Sequence, residues 1–191
     1  MSMDETKLFI PVLLGTLRQG RRSEYAARFV FSRAQAHPRI ETMFLDVRDM
    51  HFPLHAEGET GESNPEYKEA VARADGLIIV SPEYNHGYPG VLKMALDLLD
   101  DEPHHKALGI AGVSSGVFGG ARMIEHLLPV AHTLGFIVSP ADLYFPNVQD
   151  TFDEAGNLKD SSVEKRVDAF LSELVWLAGA LRQGRENAPM P

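Results

Sequence analysis

Two kinds of apolar run alternate along the chain. Leu8-Phe9-Ile10-Pro11-Val12-Leu13-Leu14 is continuous and closed by Gly15, the pattern of a strand buried on both faces. Pro11 has no amide hydrogen and weakens that strand locally. From Ser23 the period changes: Ala26, Ala27, Phe29, Val30, Phe31 and Ala34 recur at helical spacing, with Arg22 or Ser23 in the cap region. Thr42–Val47 predicts a second strand, and residues 50–64 a loop whose length suggests a functional role. Pro65-Glu66 opens a short helix, since proline fits a first helical turn. Gly76–Val80 predicts the third strand, ending at Ser81-Pro82, and Pro89-Gly90 leads into a helix over Val91–Leu99. Lys106–Val113 is the fourth strand, followed by a glycine-rich turn and a helix from near Ala121 that Gly135 closes. Phe136-Ile137-Val138 is the fifth. A long helix over Ser162–Leu181 carries Val163, Val167, Phe170, Leu171, Leu174, Val175, Ala178 and Leu181 on one stripe. Residues 185–191 are expected to fray.

Repeated strand–helix units imply right-handed crossovers and a parallel sheet covered on both faces. Five strands with five helices fit a flavodoxin-like, doubly wound five-stranded parallel sheet, one domain over residues 1–191. Such sheets bind ligands at the carboxyl ends of their strands, near the switch in strand order. The loops after strands one, three and four therefore carry the candidate chemistry.

Composition narrows that chemistry. The 191 residues carry a formal charge of −9, are 44% hydrophobic and 24% charged, and include no cysteine. Disulfides, thiolate-held metals or clusters and cysteine nucleophiles are thus excluded. A net negative surface argues against binding to nucleic acid or anionic membrane. The acidic start, Met1-Ser2-Met3-Asp4-Glu5, lacks the features of a secretory signal. No apolar run approaches the roughly 20 residues of a membrane helix. A cytoplasmic domain with small-molecule partners is expected.

The first loop is Gly15-Thr16-Leu17-Arg18-Gln19-Gly20-Arg21-Arg22-Ser23. Glycines, hydroxyls and arginines coincide where a helix starts and offers unpaired N–H groups, which predicts an anion site. It is not a Walker A loop: Gly15 and Gly20 have that spacing, but Arg21 replaces lysine and Ser23 comes one residue late. Nor is it a dinucleotide fingerprint, although Asp46 ends strand two where a ribose ligand would stand. The second loop, Ser81-Pro82-Glu83-Tyr84-Asn85-His86-Gly87-Tyr88-Pro89-Gly90, offers flat side chains and amide hydrogen bonds suited to a planar heteroaromatic ring. Tyr84 and Tyr88 could equally pack a strand end, and His86 reads as a surface imidazole. The third loop runs from Val113 to Arg122. Gly112-Val113-Ser114-Ser115-Gly116 satisfies G-x-S-x-G, but no acid and histidine follow in workable order, so a hydrolase nucleophile is not expected. Asp100-Asp101-Glu102-Pro103-His104-His105 matches no standard metal spacing and reads as a solvated connection. No metal site is expected.

Taken together the three loops resemble the NADPH-dependent FMN reductase family, which includes quinone, azo-dye and chromate reductases. Gly15-Thr16-Leu17-Arg18 is similar to its G-[ST]-x-R phosphate loop, and Pro82-Glu83-Tyr84-Asn85 with Pro89-Gly90-Val91-Leu92-Lys93 to its P-E-Y-N…P-x-x-L-K segment. Ser115-Gly116 with Gly119-Gly120-Ala121-Arg122 is similar to its third loop. The resemblance spans about residues 8–138. It implies that Thr16, Arg18 and Ser23 hold the FMN phosphate, with Arg21 or Arg22. It further implies that Pro82, Glu83, Tyr84 and Asn85 border the isoalloxazine ring, and that Ser114, Ser115 and Gly116 approach from the other side. Two departures stand out: Arg21-Arg22-Ser23 is more basic than the family's shortest pattern, and Met94 stands where asparagine is frequent. The implied function is an FMN-dependent oxidoreductase with NADPH or NADH as co-substrate, passing a hydride through the flavin to a small acceptor such as free flavin, a quinone or an azo compound. No protein acid or base is singled out as catalytic. The family's habit implies a homodimer or homotetramer. The alternative is a flavodoxin-type FMN electron carrier without nicotinamide turnover.

Overall fold

The structure, a computed structural model, describes residues 6–52 and 64–188. The first apolar run forms a strand in two pieces, β1 (Leu8–Phe9) and β2 (Val12–Leu14). The interruption falls at Ile10-Pro11, where proline has no N–H to give the ladder. Pairing nevertheless persists across it: the Pro11 carbonyl accepts from the Ile78 amide at 2.9 Å, and the Val12 amide donates to the Met43 carbonyl at 2.8 Å. The second strand is likewise divided into β3 (Ile40–Glu41) and β4 (Phe44–Asp46). The third and fourth are unbroken, β5 (Gly76–Pro82) and β6 (Ala107–Val113).

The fifth strand is longer than the apolar pattern predicts. β7 (Ile137–Val138) pairs with the start of β6, the chain breaks at Ser139-Pro140, and β8 (Leu143–Phe145) pairs with the end of β6. All pairings between named strands are parallel, and the order is β4-β2-β5-β6-β7 with β8 also on β6. Counted by whole strands this is 2-1-3-4-5, the flavodoxin-like order, whose switch point lies between the first and third strands.

Alternation along the strands sorts the core into two layers. Leu8, Ile10, Val12, Leu14, Ile78 and Val80 pack with α1 (Ser23–Ala36) and α6 (Ser162–Asn187). Phe9, Leu13, Leu77, Ile79, Leu108 and Ile110 pack with α2 (Pro65–Arg73), α3 (Gly90–Leu96) and α4 (Ala121–Thr133). Both faces of the sheet are therefore buried, as continuous apolar strands require. α3 ends three residues before the periodicity does, because Leu98 and Leu99 reach the core from the turn that follows it. Lys106, expected in the fourth strand, instead precedes it and sends Nζ to the carbonyls of Val71 (2.6 Å) and Ala72 at the end of α2.

The expected fraying after Gly184 is corrected for residues 185–187. α6 continues to Asn187, and Arg185 donates to the His105 carbonyl and to Asp75, both at 2.8 Å. Asp75 in turn accepts from the Phe9 amide at 3.1 Å, so the helix end is tied to the first strand. Of the loop expected over 50–64, residues 53–63 lie outside the described residues. Its two ends meet: the Asn64 side chain accepts from the His51 amide at 2.7 Å and donates to the His51 carbonyl at 2.8 Å.

Gly109 decides how closely α6 approaches the sheet. A Cβ there would stand 2.6 Å from Phe170 Cζ and 3.0 Å from Leu174 Cδ2. Gly109→Ala should therefore lose roughly 1–3 kcal/mol by overpacking. Chemical denaturation measures this, and an unchanged midpoint would contradict the packing.

Candidate functional site

All three candidate loops leave the carboxyl edge of the sheet. The first starts at Gly15, whose amide still donates to the Val80 carbonyl at 3.0 Å. Thr16 is 1% exposed, and its hydroxyl lies 2.9 Å from the Tyr84 hydroxyl, joining the first loop to the second. Gly20 turns the backbone at φ +64°, and α1 begins at Ser23, itself buried. Among the described residues, the amides of Gln19, Gly20, Arg21, Arg22 and Ser23 make no hydrogen bond. Five unpaired N–H groups thus stand at the positive end of a 14-residue helix, donors of the kind an anion site requires.

The three arginines of this loop divide sharply. Arg21 is buried, with its side chain 2% exposed. It donates to both oxygens of Asp46 (2.9 Å to Oδ1), to the Thr16 carbonyl, and to Glu24 at 3.4 Å. Four of its five N–H donors are taken up within the fold and its charge is paired with Asp46, so the expectation that Arg21 meets the phosphate is corrected, although the residue borders the cavity described next. Asp46, which stood where a ribose ligand would, holds Arg21 instead. The guanidinium groups of Arg18 and Arg22 are exposed and have no partner among the described residues. They line one cavity of about 500 Å³ together with Ser23, Pro82, Tyr84, Ser114 and Ser115.

The second loop is a tight reversal. Tyr84 and Gly87 exchange backbone hydrogen bonds of 2.8 and 2.9 Å, and Asn85 and His86 between them have φ of +48° and +70°. Positive φ at both central residues is the requirement of a type I′ turn, which asparagine tolerates and histidine bears under strain. The Glu83 amide donates to the Val113 carbonyl at 2.9 Å, extending the sheet toward the groove. Its side chain is 6% exposed, and Oε1 accepts from Arg122 Nε at 2.8 Å and Nη2 at 2.6 Å. Arg122 also lies 5.0 Å from the centroid of the Phe118 ring. A second cavity, about 690 Å³, lies along Thr16, Leu17, Asn85, Pro89 and Val91, and shares Arg18, Glu83 and Tyr84 with the first. The two are lobes of one groove.

The third loop is held by close backbone packing. A Cβ on Gly112 would stand 2.7 Å from the Gly119 carbonyl oxygen, and one on Gly120 (φ +91°) 2.7 Å from the Val113 amide nitrogen. These glycines seat the start of α4 on the end of β6. Ser114 donates its hydroxyl to the Gly116 carbonyl at 2.8 Å and not to a histidine, which disposes of the G-x-S-x-G reading structurally. Ser114 and Ser115 line the groove, whereas Gly116 is outside the lining. Its carbonyl accepts from Ser114 and from the Asn147 amide at 3.1 Å.

Sequence reasoning missed one wall of the groove. Val148 and Gln149, in α5 (Val148–Thr151), line the first lobe, and Gln149 Nε2 donates to the Ser115 carbonyl at 3.2 Å. This helix is one turn long, too short for periodicity to reveal. Among the described residues no group of three or more His, Asp or Glu could hold a metal ion.

Comparison with known proteins follows the same lines. Residues 9–150 match the family described as NADPH-dependent FMN reductase. The chain is 29% identical over 175 residues to a 2-hydroxy-1,4-benzoquinone reductase of Burkholderia sp, covering 87% of this chain and 93% of that protein. It is 38% identical over 130 residues to a quinone reductase of Escherichia coli (strain K12), covering 63% and 68%. The fold is similar to that of FerB, a flavoenzyme NAD(P)H:(acceptor) oxidoreductase from Paracoccus denitrificans, with a TM-score of 0.77 at 21% identity, covering 91% and 98% of the two chains.

Arg21 should be worth more to the fold than either exposed arginine. Arg21→Met leaves the Thr16 carbonyl without its donor and the Asp46 carboxylate without its cation, with only the Arg48 amide still donating to it, a loss of roughly 3–5 kcal/mol. Adding Asp46→Leu should restore part of it, because both halves of the pair are then apolar. Denaturation of the two variants checks this, and a single variant as stable as the wild type would contradict it.

Proposed function

The chain belongs to the NADPH-dependent FMN reductase family, and from that premise we propose that the groove at the carboxyl edge of the sheet is its flavin site. The protein is an NAD(P)H-dependent oxidoreductase with FMN as cofactor. The observation that carries the site assignment is the pairing of two partnerless guanidinium groups, Arg18 and Arg22, with five unpaired amides at the start of α1. That donor set fits a dianionic phosphomonoester, which needs several strong donors and positive charge.

In this reading Arg18, Arg22, Ser23 and the amides of residues 19–23 hold the phosphate. Thr16, expected to join them at the phosphate, is 1% exposed with its hydroxyl against that of Tyr84, and it lines the second lobe and ties the first loop to the second. Pro82, Glu83, Tyr84 and Asn85 border the isoalloxazine ring, and the turn at Asn85-His86 fixes their backbone. Ser114 and Ser115 approach from the opposite wall, with Gly116 behind them. FMN held by these residues would supply the two-electron redox chemistry that links reduced nicotinamide to a small acceptor. The protein binds and orients, and no side chain is assigned a proton transfer. A quinone is the acceptor class we favour, since two relatives bear that substrate in their names.

The chain acts as one FMN-binding domain, and we place it in the cytoplasm; no described helix is long and apolar enough to cross a membrane. A homodimer or homotetramer is the assembly we propose. It is supported by Leu17, Val117 and Phe118, which stand 48%, 72% and 61% exposed on the first and third loops. A second copy would cover them.

The test is an anaerobic spectrum of the FMN-loaded protein with stoichiometric NADPH or NADH. The flavin band should bleach with at least one nucleotide and recover on addition of a quinone. Bleaching by dithionite alone would overturn the reductase in favour of an electron carrier. Arg18→Ala should weaken FMN binding by about 10- to 100-fold, the value of a charge-assisted hydrogen bond. Fluorescence quenching of FMN measures it, and wild-type affinity would remove Arg18 from the site.

A further inference from the structure

Three successive carbonyls of the first loop meet guanidinium groups. Arg21 Nη1 donates to the Thr16 carbonyl, Arg48 Nε to the Leu17 carbonyl at 3.3 Å, and Arg48 Nη2 to the Arg18 carbonyl. A trans peptide directs its C=O and N–H in opposite senses. Tying down the carbonyls of residues 16–18 therefore turns the amides of Leu17, Arg18 and Gln19 away from the two arginines. The Arg18 amide lies 3.4 Å from the Thr16 hydroxyl, while those of Leu17 and Gln19 have no partner among the described residues.

The arginines are themselves fixed. Asp46, at the end of β4, holds Arg21 and accepts from the Arg48 amide at 2.9 Å. Glu24, in the first turn of α1, lies 3.4 Å from Arg21 Nε and 3.8 Å from Arg48 Nη1. Burial pushes the Glu24 carboxyl up, but hydrogen bonds and charge from Arg28 and Arg21 outweigh this and hold it below the usual carboxylate range. Three cations, Arg21, Arg28 and Arg48, thus share two anions, Glu24 and Asp46, and Arg21 and Arg48 turn their donors to the carbonyls of the loop. Arg48 is outside the lining of both lobes and reaches the loop from the β4 side.

We propose that Arg48 is a positioning residue for the Arg18–Gln19 peptide, whose amide opens the anion-binding series of residues 19–23, and that, without touching the ligand, it sets the preference of this protein for a phosphorylated flavin over an unphosphorylated one. The inference rests on the reading of the groove as a flavin site. A role in peptide orientation differs from a role in charge: lysine keeps the charge but lacks the planar fork that reaches two carbonyls at once.

The experiment measures dissociation constants of FMN and of riboflavin for the wild type, Arg48→Met and Arg48→Lys, with apoprotein melting midpoints as the check on folding. Both variants should bind FMN about tenfold more weakly, the low end of the scale for a charge-assisted hydrogen bond lost, with riboflavin affinity unchanged within twofold. Parallel weakening of FMN and riboflavin would overturn the proposal in favour of general support of the fold. Wild-type FMN affinity in Arg48→Lys would overturn it in favour of charge, and no change in either variant would remove Arg48 altogether. A wild type with no preference for FMN over riboflavin would instead sink the phosphate assignment of the first loop, a failure distinguishable from the others.

Discussion

The buried guanidinium of Arg21 is the contact on which the functional end of this molecule depends. It joins three elements that are far apart in the chain or turn in different directions: the end of β4 through Asp46, the first loop through the Thr16 carbonyl, and the first turn of α1 through Glu24. A buried charge is costly unless paired and hydrogen-bonded, and here both conditions are met. The consequence is chemical as well as mechanical. With Arg21 neutralised by Asp46, the charge offered to a ligand comes from Arg18 and Arg22 alone, and the loop is free to present amides where its carbonyls are held back.

The sheet makes this arrangement possible. Order 2-1-3-4-5 places the loop after the first strand beside the loop after the third, at the switch point where a cleft opens. The Thr16–Tyr84 contact and the Glu83–Arg122 pair then join first loop to second and second to the start of α4. Gly112, Gly119 and Gly120 allow backbone to lie on backbone, so the third loop can close the far wall. Each tie joins a loop to another loop, to the end of β6 or to the start of α4, at the carboxyl ends of strands buried on both faces. A site built this way keeps its shape through the scaffold beneath it and not through its own solvent-exposed residues.

Most of the fold was legible because its strands are buried on both faces and its long helices are amphipathic, and both leave a period in the sequence. What was not legible had no period to leave. β8 and α5 are three and four residues long, follow Pro140, and take their place through bonds to β6 and to Ser114. The continuation of α6 past Gly184 depends on Arg185 finding Asp75 and the His105 carbonyl, contacts 110 and 80 residues away in the chain. In the candidate site, residue types at a helix start were enough to mark an anion loop. Its three arginines could not be told apart, since their difference lies in whether Asp46 stands beneath them. Arg48 left no local signal at all.

Within this account, everything turns on whether the first loop holds the flavin phosphate. The ³¹P resonance of FMN bound to the wild-type protein, followed from pH 5 to 8, tests that directly. A free phosphomonoester loses its second proton near pH 6. Donors and positive charge favour the dianion and lower that value. The resonance of bound FMN should therefore be shifted from that of free FMN and remain flat across the range, with the phosphate dianionic throughout. A bound flavin whose phosphate still titrates near pH 6, as it does in water, would mean that the phosphate lies in solvent and that the arginine loop serves another purpose.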